Sequence, residues 1–227
     1  MATAKNQIPE FSTEAKRNAR VILKRLMKLY PEMGTALEYD DVWQLLVATV
    51  LSAQTTDENV NKVAPNLFDA YPTPEDLAGA NPEDVEQIIF SSGFYRQKTK
   101  SVIALAGDLV DRFDGEVPTE LEDLVTLRGV GRKTASVVLA EVWDTPAIAV
   151  DTHVKRVTGR LGLTKNTDAT KIEFDLKGLF RKDQWSDVSM RFIQFGRDVC
   201  DSRTPRCYEC PLRDRCEYEP KTIKPTS

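Results

Sequence analysis

The run from Leu124 to Ala135, Leu-Val-Thr-Leu-Arg-Gly-Val-Gly-Arg-Lys-Thr-Ala, ends one helical pattern and begins another across a Gly129-Val130-Gly131 turn. Glycines in such a turn permit positive φ and let a ligand come close to the backbone. A helix that starts there presents unpaired amides that favour an anion such as a phosphate. Ala135, Val138, Leu139 and Val142 form one apolar helical face, so Lys133 points the other way. A lysine beside a helix N-terminus in a partly desolvated cleft can lose its proton and act as a nucleophile. Asp151 follows the apolar run Ala147–Val150 and opens Val-Asp-Thr-His. A carboxylate near such an amine can stabilise a cationic transition state, and the pair suits attack at an electron-poor sugar carbon. Each feature also has a plainer reading: the glycines as an ordinary helical hairpin, and Asp151 as a helix N-cap.

The third constellation is made of sulfur. Cys200, Cys207, Cys210 and Cys216 are the chain's four cysteines and lie within 17 residues. A disulfide framework would spread its cysteines over the elements it staples, so the cluster reads as a metal site. Four thiolates suit zinc or a [4Fe-4S] cluster. Zinc sites commonly pair two short Cys-x-x-Cys knuckles, and only Cys207/Cys210 has that spacing here. Arg203, Arg206, Arg213 and Arg215 in the same loop could touch phosphates, but Asp201, Glu209, Asp214 and Glu217 offset them.

Helices must position these groups. Ala19, Ile22, Leu23, Leu26 and Leu29 recur at helical spacing over 15–29, ahead of Pro31. The segment 41–52 is short and strongly apolar, as a buried helix would be. Thr55 to Glu58 offers a Thr-x-x-Glu capping box for a helix running toward Ala70. Thr73-Pro74 and Asn81-Pro82 each combine a capping residue with proline at the first helical position and acids in the first turn. Further patterns cover 96–113, 120–127, 131–142, 152–161, 168–180 and 185–199, and only 147–150 resembles a strand. The fold class is all-α.

Composition bounds the rest. The chain has 227 residues, 41% of them apolar and 29% charged, enough for one large or two small helical domains. Its longest apolar stretch, Leu45 to Leu51, is far shorter than the roughly 20 residues needed to cross a bilayer. No membrane association is expected. The N-terminus shows no secretory signal pattern, so the cytoplasm is the expected location. Residues 31–90 hold twelve acids and one base, net −11, so a whole-chain charge of −4 leaves +7 on the remainder. Basic groups gather at Lys16, Arg17, Arg20, Lys24, Arg25 and Lys28, then at Arg96, Lys98 and Lys100. Others are Arg128, Arg132 and Lys133, and Lys155, Arg156 and Arg160. A one-sided field of this kind can attract nucleic acid despite an acidic total, although solvated helix faces explain any single group.

Taken in order and spacing, Leu-x-Gly-Val-Gly-Arg-Lys-Thr-Ala at 127–135, Val-Asp-Thr-His at 150–153 and the cysteine loop at 200–216 closely resemble the endonuclease III family. This family lies within the helix-hairpin-helix Gly/Pro-Asp superfamily of DNA repair glycosylases, and the similarity spans about 41–218. The resemblance implies a DNA glycosylase fold of two helical domains. One is a six-helix barrel at 35–147 that includes the hairpin at about 120–142. The other is discontinuous, 1–34 and 148–227, and carries a [4Fe-4S] cluster on the four cysteines.

It further implies a monomer acting on double-stranded DNA with damaged bases or abasic sites, in a nucleoid-associated, prokaryotic setting. Lys133 would attack C1′ of a flipped oxidised pyrimidine nucleotide and form a Schiff base, and β-elimination would then cut the strand, with Asp151 assisting. A base must leave the stack before its C1′ can be reached. Gln54 would fill the vacated stack and Phe94 would wedge the opposite strand, where relatives often have leucine. Gly129, Gly131 and Arg132 would touch the backbone of DNA. His153 would hold the Asp151 turn, and Trp43, Trp143 and Trp185 would sit in or near the core. Two other readings compete. One is a monofunctional, adenine-type mismatch glycosylase, which lacks the hairpin lysine and usually appends a further domain. The other is a noncatalytic helix-hairpin-helix module, against which both Lys133 and Asp151 weigh.

Overall fold

Helix starts in this chain are written as side-chain oxygens placed just ahead of apolar periodicity. Ser12 caps α1 (Thr13–Leu29) by accepting from the Ala15 amide, and Asp41 caps α2 (Val42–Leu51) through the Gln44 amide at 2.8 Å. Thr73 and Asp76 form the full reciprocal box at α4 (Pro74–Ala78), and Asn81 caps α5 (Pro82–Ile88). The computed structural model describes residues 7–32, 34–143 and 145–224. Among them α3 spans Asp57–Ala70, α6 Tyr95–Phe113, α7 Leu121–Leu124 and α8 Arg132–Trp143. α9 spans Thr152–Arg160, α10 Ala169–Leu179 and α11 Trp185–Asp198. No strand occurs among the described residues, and the run 147–150 passes between α8 and α9 without joining a sheet. The all-α expectation therefore holds.

One start differs from its expected form. Thr56, not Thr55, caps α3 by accepting from the Asn59 amide at 3.2 Å, so the third helical position is asparagine. Glu58 pairs with Lys62 along the helix instead of reaching back to the cap. The Thr55 amide donates to the Ser52 carbonyl in the preceding turn, and the Thr55 hydroxyl accepts from the Asn59 side chain rather than from a helix-start amide.

The chain divides into two units, one of residues 35–145 and one of 1–34 with 146–227. In the first, α2 is the central element: Trp43 and every residue from Leu45 to Leu51 are buried. A helix that is apolar all round must be surrounded. Leu67 of α3, Leu77 of α4, Val85 of α5, Leu105 of α6 and Val138 of α8 belong to the same core. The second unit has its own core, in which the apolar stripe of α1 meets Val154 and Val157 of α9, Leu176 of α10 and Phe192 and Phe195 of α11. Buried Arg191 closes this unit over the end of α1, donating to the carbonyls of Tyr30 and Pro31. Trp43 is buried, and Trp143 and Trp185 pack partly buried against the two cores.

Leu46→Ala at the centre of α2 should cost about 2–5 kcal/mol through lost transfer energy and an unfilled cavity. Leu29→Ala, at a position 44% exposed, should stay within about 0.5 kcal/mol. Denaturant titration of both variants measures the difference.

Candidate active site

The hairpin is built by burying what lies between its glycines. Leu124, Leu127, Val130 and Ala135 are all buried, so the turn is pegged to the core by Val130 while its glycine backbone stays at the surface. The Val130 amide donates to the Leu127 carbonyl at 3.1 Å, and the Ala135 amide to the Gly131 carbonyl at 3.0 Å, which starts α8. Gly129 has φ +81°, and a Cβ there would lie 3.0 Å from the Ser101 Cβ of α6. Conformation and contact both demand glycine. Gly131 is different: its φ is not left-handed, and a Cβ would meet nothing within 4 Å. The expectation that both glycines serve positive φ is therefore right for Gly129 alone. Gly131 leaves clear space over the first turn of α8, where Arg132 is half-buried and Lys133 exposed.

Asp108 of α6 holds this hairpin from below. It accepts the Arg128 amide at 2.8 Å, and the Arg128 guanidinium through Nε at 3.0 Å and Nη2 at 2.9 Å. The side-chain hydrogen bond from Arg128 keeps the Asp108 carboxyl below its ordinary 3.8. Arg128 thus serves the turn rather than a solvated face. Lys98 is likewise not a surface charge: it is 5% exposed, burial lowers its pKa, and its Nζ donates to the Ser92 carbonyl at 2.7 Å.

Asp151 belongs to the other unit. Its Oδ1 accepts from the amides of His153 and Val154, both at 2.8 Å, and its Oδ2 lies 3.0 Å from His153 Nδ1. The N-cap reading is therefore met in full, and His153 braces the carboxylate as expected. One oxygen carries both capping bonds, which fixes the direction of the second.

The four cysteines line one small pocket of about 20 Å³ together with Arg160, Leu161, Phe195, Val199, Pro205 and Tyr218. All four are free thiols. Burial pushes Cys210 up to about 11 and raises Cys216, and the neighbouring cysteines add to both. Four sulfurs crowded in an apolar pocket form a donor set that suits thiophilic metal. Among the described residues, however, no three His, Cys, Asp or Glu side chains converge as a site for a metal ion. Arg160 ties the loop together, with Nη1 donating to Cys200 Sγ at 3.3 Å and to the Asp201 carbonyl at 2.6 Å. Its guanidinium also lies 4.2 Å from the Tyr218 ring centroid. Arg156 donates to the carbonyls of Cys200 and Gly196. The loop arginines stay exposed, though two are tied within the loop: Arg206 pairs with Glu209, and Arg213 donates to the Cys207 carbonyl. In sequence Arg156 and Arg160 counted only as members of a basic group; their carbonyl partners lie more than 35 residues away, where spacing could not show them.

Gln54 and Phe94 share a peculiarity. With Asp114 they are the non-glycine residues of left-handed backbone among those described, at φ 57° and 50°. Such residues are uncommon and costly, and they gather at functional sites. Gln54 is exposed in the turn after α2. Phe94 is 66% exposed at the start of α6, near Phe90 at 64%.

A helical chain with a glycine hairpin set against α6 and a pocket of four thiols has the build of a helix-hairpin-helix repair protein. Residues 47–182 match the family described as HhH-GPD superfamily base excision DNA repair protein. The chain is 49% identical over 202 residues to the endonuclease III of Synechocystis sp. PCC 6803, covering 88% of this chain and 92% of that one. It is 42% identical to that of Thermotoga maritima and 41% to that of Bacillus subtilis, covering 91% and 93% of those chains. A solved trapped endonuclease III–DNA covalent intermediate superimposes with TM-score 0.84 at 42% identity, covering 88% of this chain and 95% of that one. The chain belongs to the endonuclease III family within this superfamily, the DNA glycosylase/AP lyases of base excision repair. A thermostable thymine-DNA glycosylase at 20% identity and TM-score 0.80 shares the fold.

Two outcomes test the hairpin. Gly129→Ala should destabilise the protein by about 1–2 kcal/mol, more than Gly131→Ala, as read by thermal melting. The advantage of wild type over Asp108→Asn should be fully present above pH 3.8 and shrink as pH falls below it. The sign follows because a carboxyl with a depressed folded pKa is protonated first in the unfolded chain.

Proposed function

We propose that this DNA glycosylase/AP lyase excises oxidised pyrimidines such as thymine glycol from double-stranded DNA, with Lys133 as nucleophile. The observation that carries the reading is an exposed lysine in the first turn of α8, after a glycine-opened hairpin, in a chain similar to an endonuclease III captured covalently on DNA. The Lys133 lone pair attacks C1′, the N-glycosidic bond breaks and the base departs with the electron pair, taking up a proton. The sugar ring then opens to a Schiff base. Loss of a C2′ proton expels the 3′ phosphate and cuts the strand. An oxidised base stacks poorly, which lowers the cost of everting it.

In this mechanism Asp151 stabilises positive charge on the sugar, while its capping bonds and His153 hold its carboxylate in one direction. The hairpin backbone at Gly129, Gly131 and Arg132 holds phosphate, Gln54 enters the space the base leaves, and Phe94 parts the opposite strand. The barrel domain corresponds to the unit at 35–145, and the discontinuous domain to the other. Cys200, Cys207, Cys210 and Cys216 would hold a [4Fe-4S] cluster, whose iron–thiolate bonds would cross-link the C-terminal loop. The bacterial relatives suggest a nucleoid-associated, cytoplasmic enzyme.

Borohydride treatment during reaction with an oxidised-pyrimidine duplex should trap a covalent adduct, and Lys133→Gln should abolish it. Retained trapping in that variant would refute the assignment. Asp151→Asn should slow base release at least tenfold more than it weakens duplex binding, since its charge matters most in the transition state. Anaerobic iron and sulfide analysis should return four of each per chain, and zinc in their place would remove the cluster.

A further inference from the structure

We propose that Asn59 is a positioning residue that sets the spacing between Gln54 and Phe94, the two side chains assigned above to the opened base stack. The inference rests on that assignment.

Gln54 and Phe94 sit on separate turns, forty residues apart, each strained into left-handed backbone. Nothing local favours that conformation: Phe94 has no small polar side chain to relieve it, and Gly93 before it is also left-handed at φ +69°. Strain of this sort persists only where the surroundings enforce it. On the Phe94 side, the two carbonyls ahead of the strained pair are both held from outside the turn. Lys98 Nζ donates to the Ser92 carbonyl, and Asn59 Nδ2 donates to the Ser91 carbonyl, each at 2.7 Å.

Asn59 does more than Lys98, because its second bond lies on the other turn. The same Nδ2 donates to Thr55 Oγ1 at 3.1 Å, and Thr55 directly follows Gln54. A carboxamide nitrogen carries two hydrogens fixed about 120° apart in one plane, so a single rigid group joins both turns and uses its full donor capacity. The Asn59 main chain is itself fixed, since its amide is the one that Thr56 caps. The capping-box position that would ordinarily hold glutamate holds this asparagine instead, and its side chain turns toward the 90–92 segment. Were Asn59 only a helix-start residue, neither bond would be needed.

Both inserted side chains must enter one base step from opposite strands, so the gap between them must match what the everted nucleotide leaves. A fixed spacing removes the ordering cost at the moment of insertion. Asn59 thereby acts on DNA only through Gln54 and Phe94.

The test uses Asn59→Ala and Asn59→Asp in the full chain. Aspartate keeps size and shape, suits a helix N-terminus and has no hydrogen to donate, so this variant folds while the link is cut. The reporter is a duplex with 2-aminopurine opposite a tetrahydrofuran abasic analogue, read at saturating protein. Wild type should raise the fluorescence as the opposite base is unstacked. Both variants should lose at least half of that rise, and single-turnover base release should slow about tenfold, with melting midpoints within about 4 °C of wild type. In a Gln54→Ala, Phe94→Ala double background, Asn59→Ala should add nothing further.

An unchanged fluorescence rise in both variants overturns the proposal, as does a loss in single-turnover rate that multiplies with that of the Gln54→Ala, Phe94→Ala double variant. If Gln54→Ala and Phe94→Ala themselves leave the rise intact, the insertion assignment fails and carries this inference with it. That result differs from one in which those two variants are impaired and the Asn59 variants are not.

Discussion

A left-handed glycine pressed against a neighbouring helix is the constraint on which the hairpin depends. Gly129 reaches φ +81°, and a Cβ there would press on Ser101 at 3.0 Å, so any larger residue is strained. From that contact the chain turns, buries Val130 and starts α8 with Lys133 in its first turn. Asp108 secures the same corner by taking the Arg128 amide and guanidinium together. The guanidinium is well exposed, so solvent weakens the ion pair; the amide bond, made to a mostly buried carboxylate, does more to fix the turn.

Much of this was legible in the sequence because it is local. Helix starts were written as caps, and those at Thr73 and Asn81 formed as read. Capping involves partners two or three residues apart, within reach of spacing arguments. The buried helix at 42–51 followed from uninterrupted apolarity. The family motifs sit at chain-local spacings for the same reason. The Thr55 box failed because its hydroxyl takes a side-chain donor, Asn59, while the adjacent Thr56 caps the helix, a division that spacing does not reveal.

What could not be read were the jobs of polar residues whose partners lie far along the chain. Arg156, Arg160 and Asn59 look alike in sequence to side chains facing water, yet each reaches a carbonyl more than thirty residues away. Counting charges treated these cations as a field offered to DNA. Structurally they are internal fasteners, and the positive charge available to a ligand is smaller than the sequence total suggests. The left-handed backbone at Gln54 and Phe94 was equally invisible, since neither residue type advertises it.

The discontinuity of the second unit bears on how the chain acquires its shape during synthesis. Residues 35–145 emerge from the ribosome as one stretch holding a whole core and can collapse at once. The α1 stripe of Ala19, Ile22, Leu23 and Leu26 has no such opportunity, because Phe192 and Phe195 are translated some 165 residues later. At bacterial elongation speeds of about 5–20 residues per second, that helix waits on the order of ten seconds or more with its greasy side uncovered.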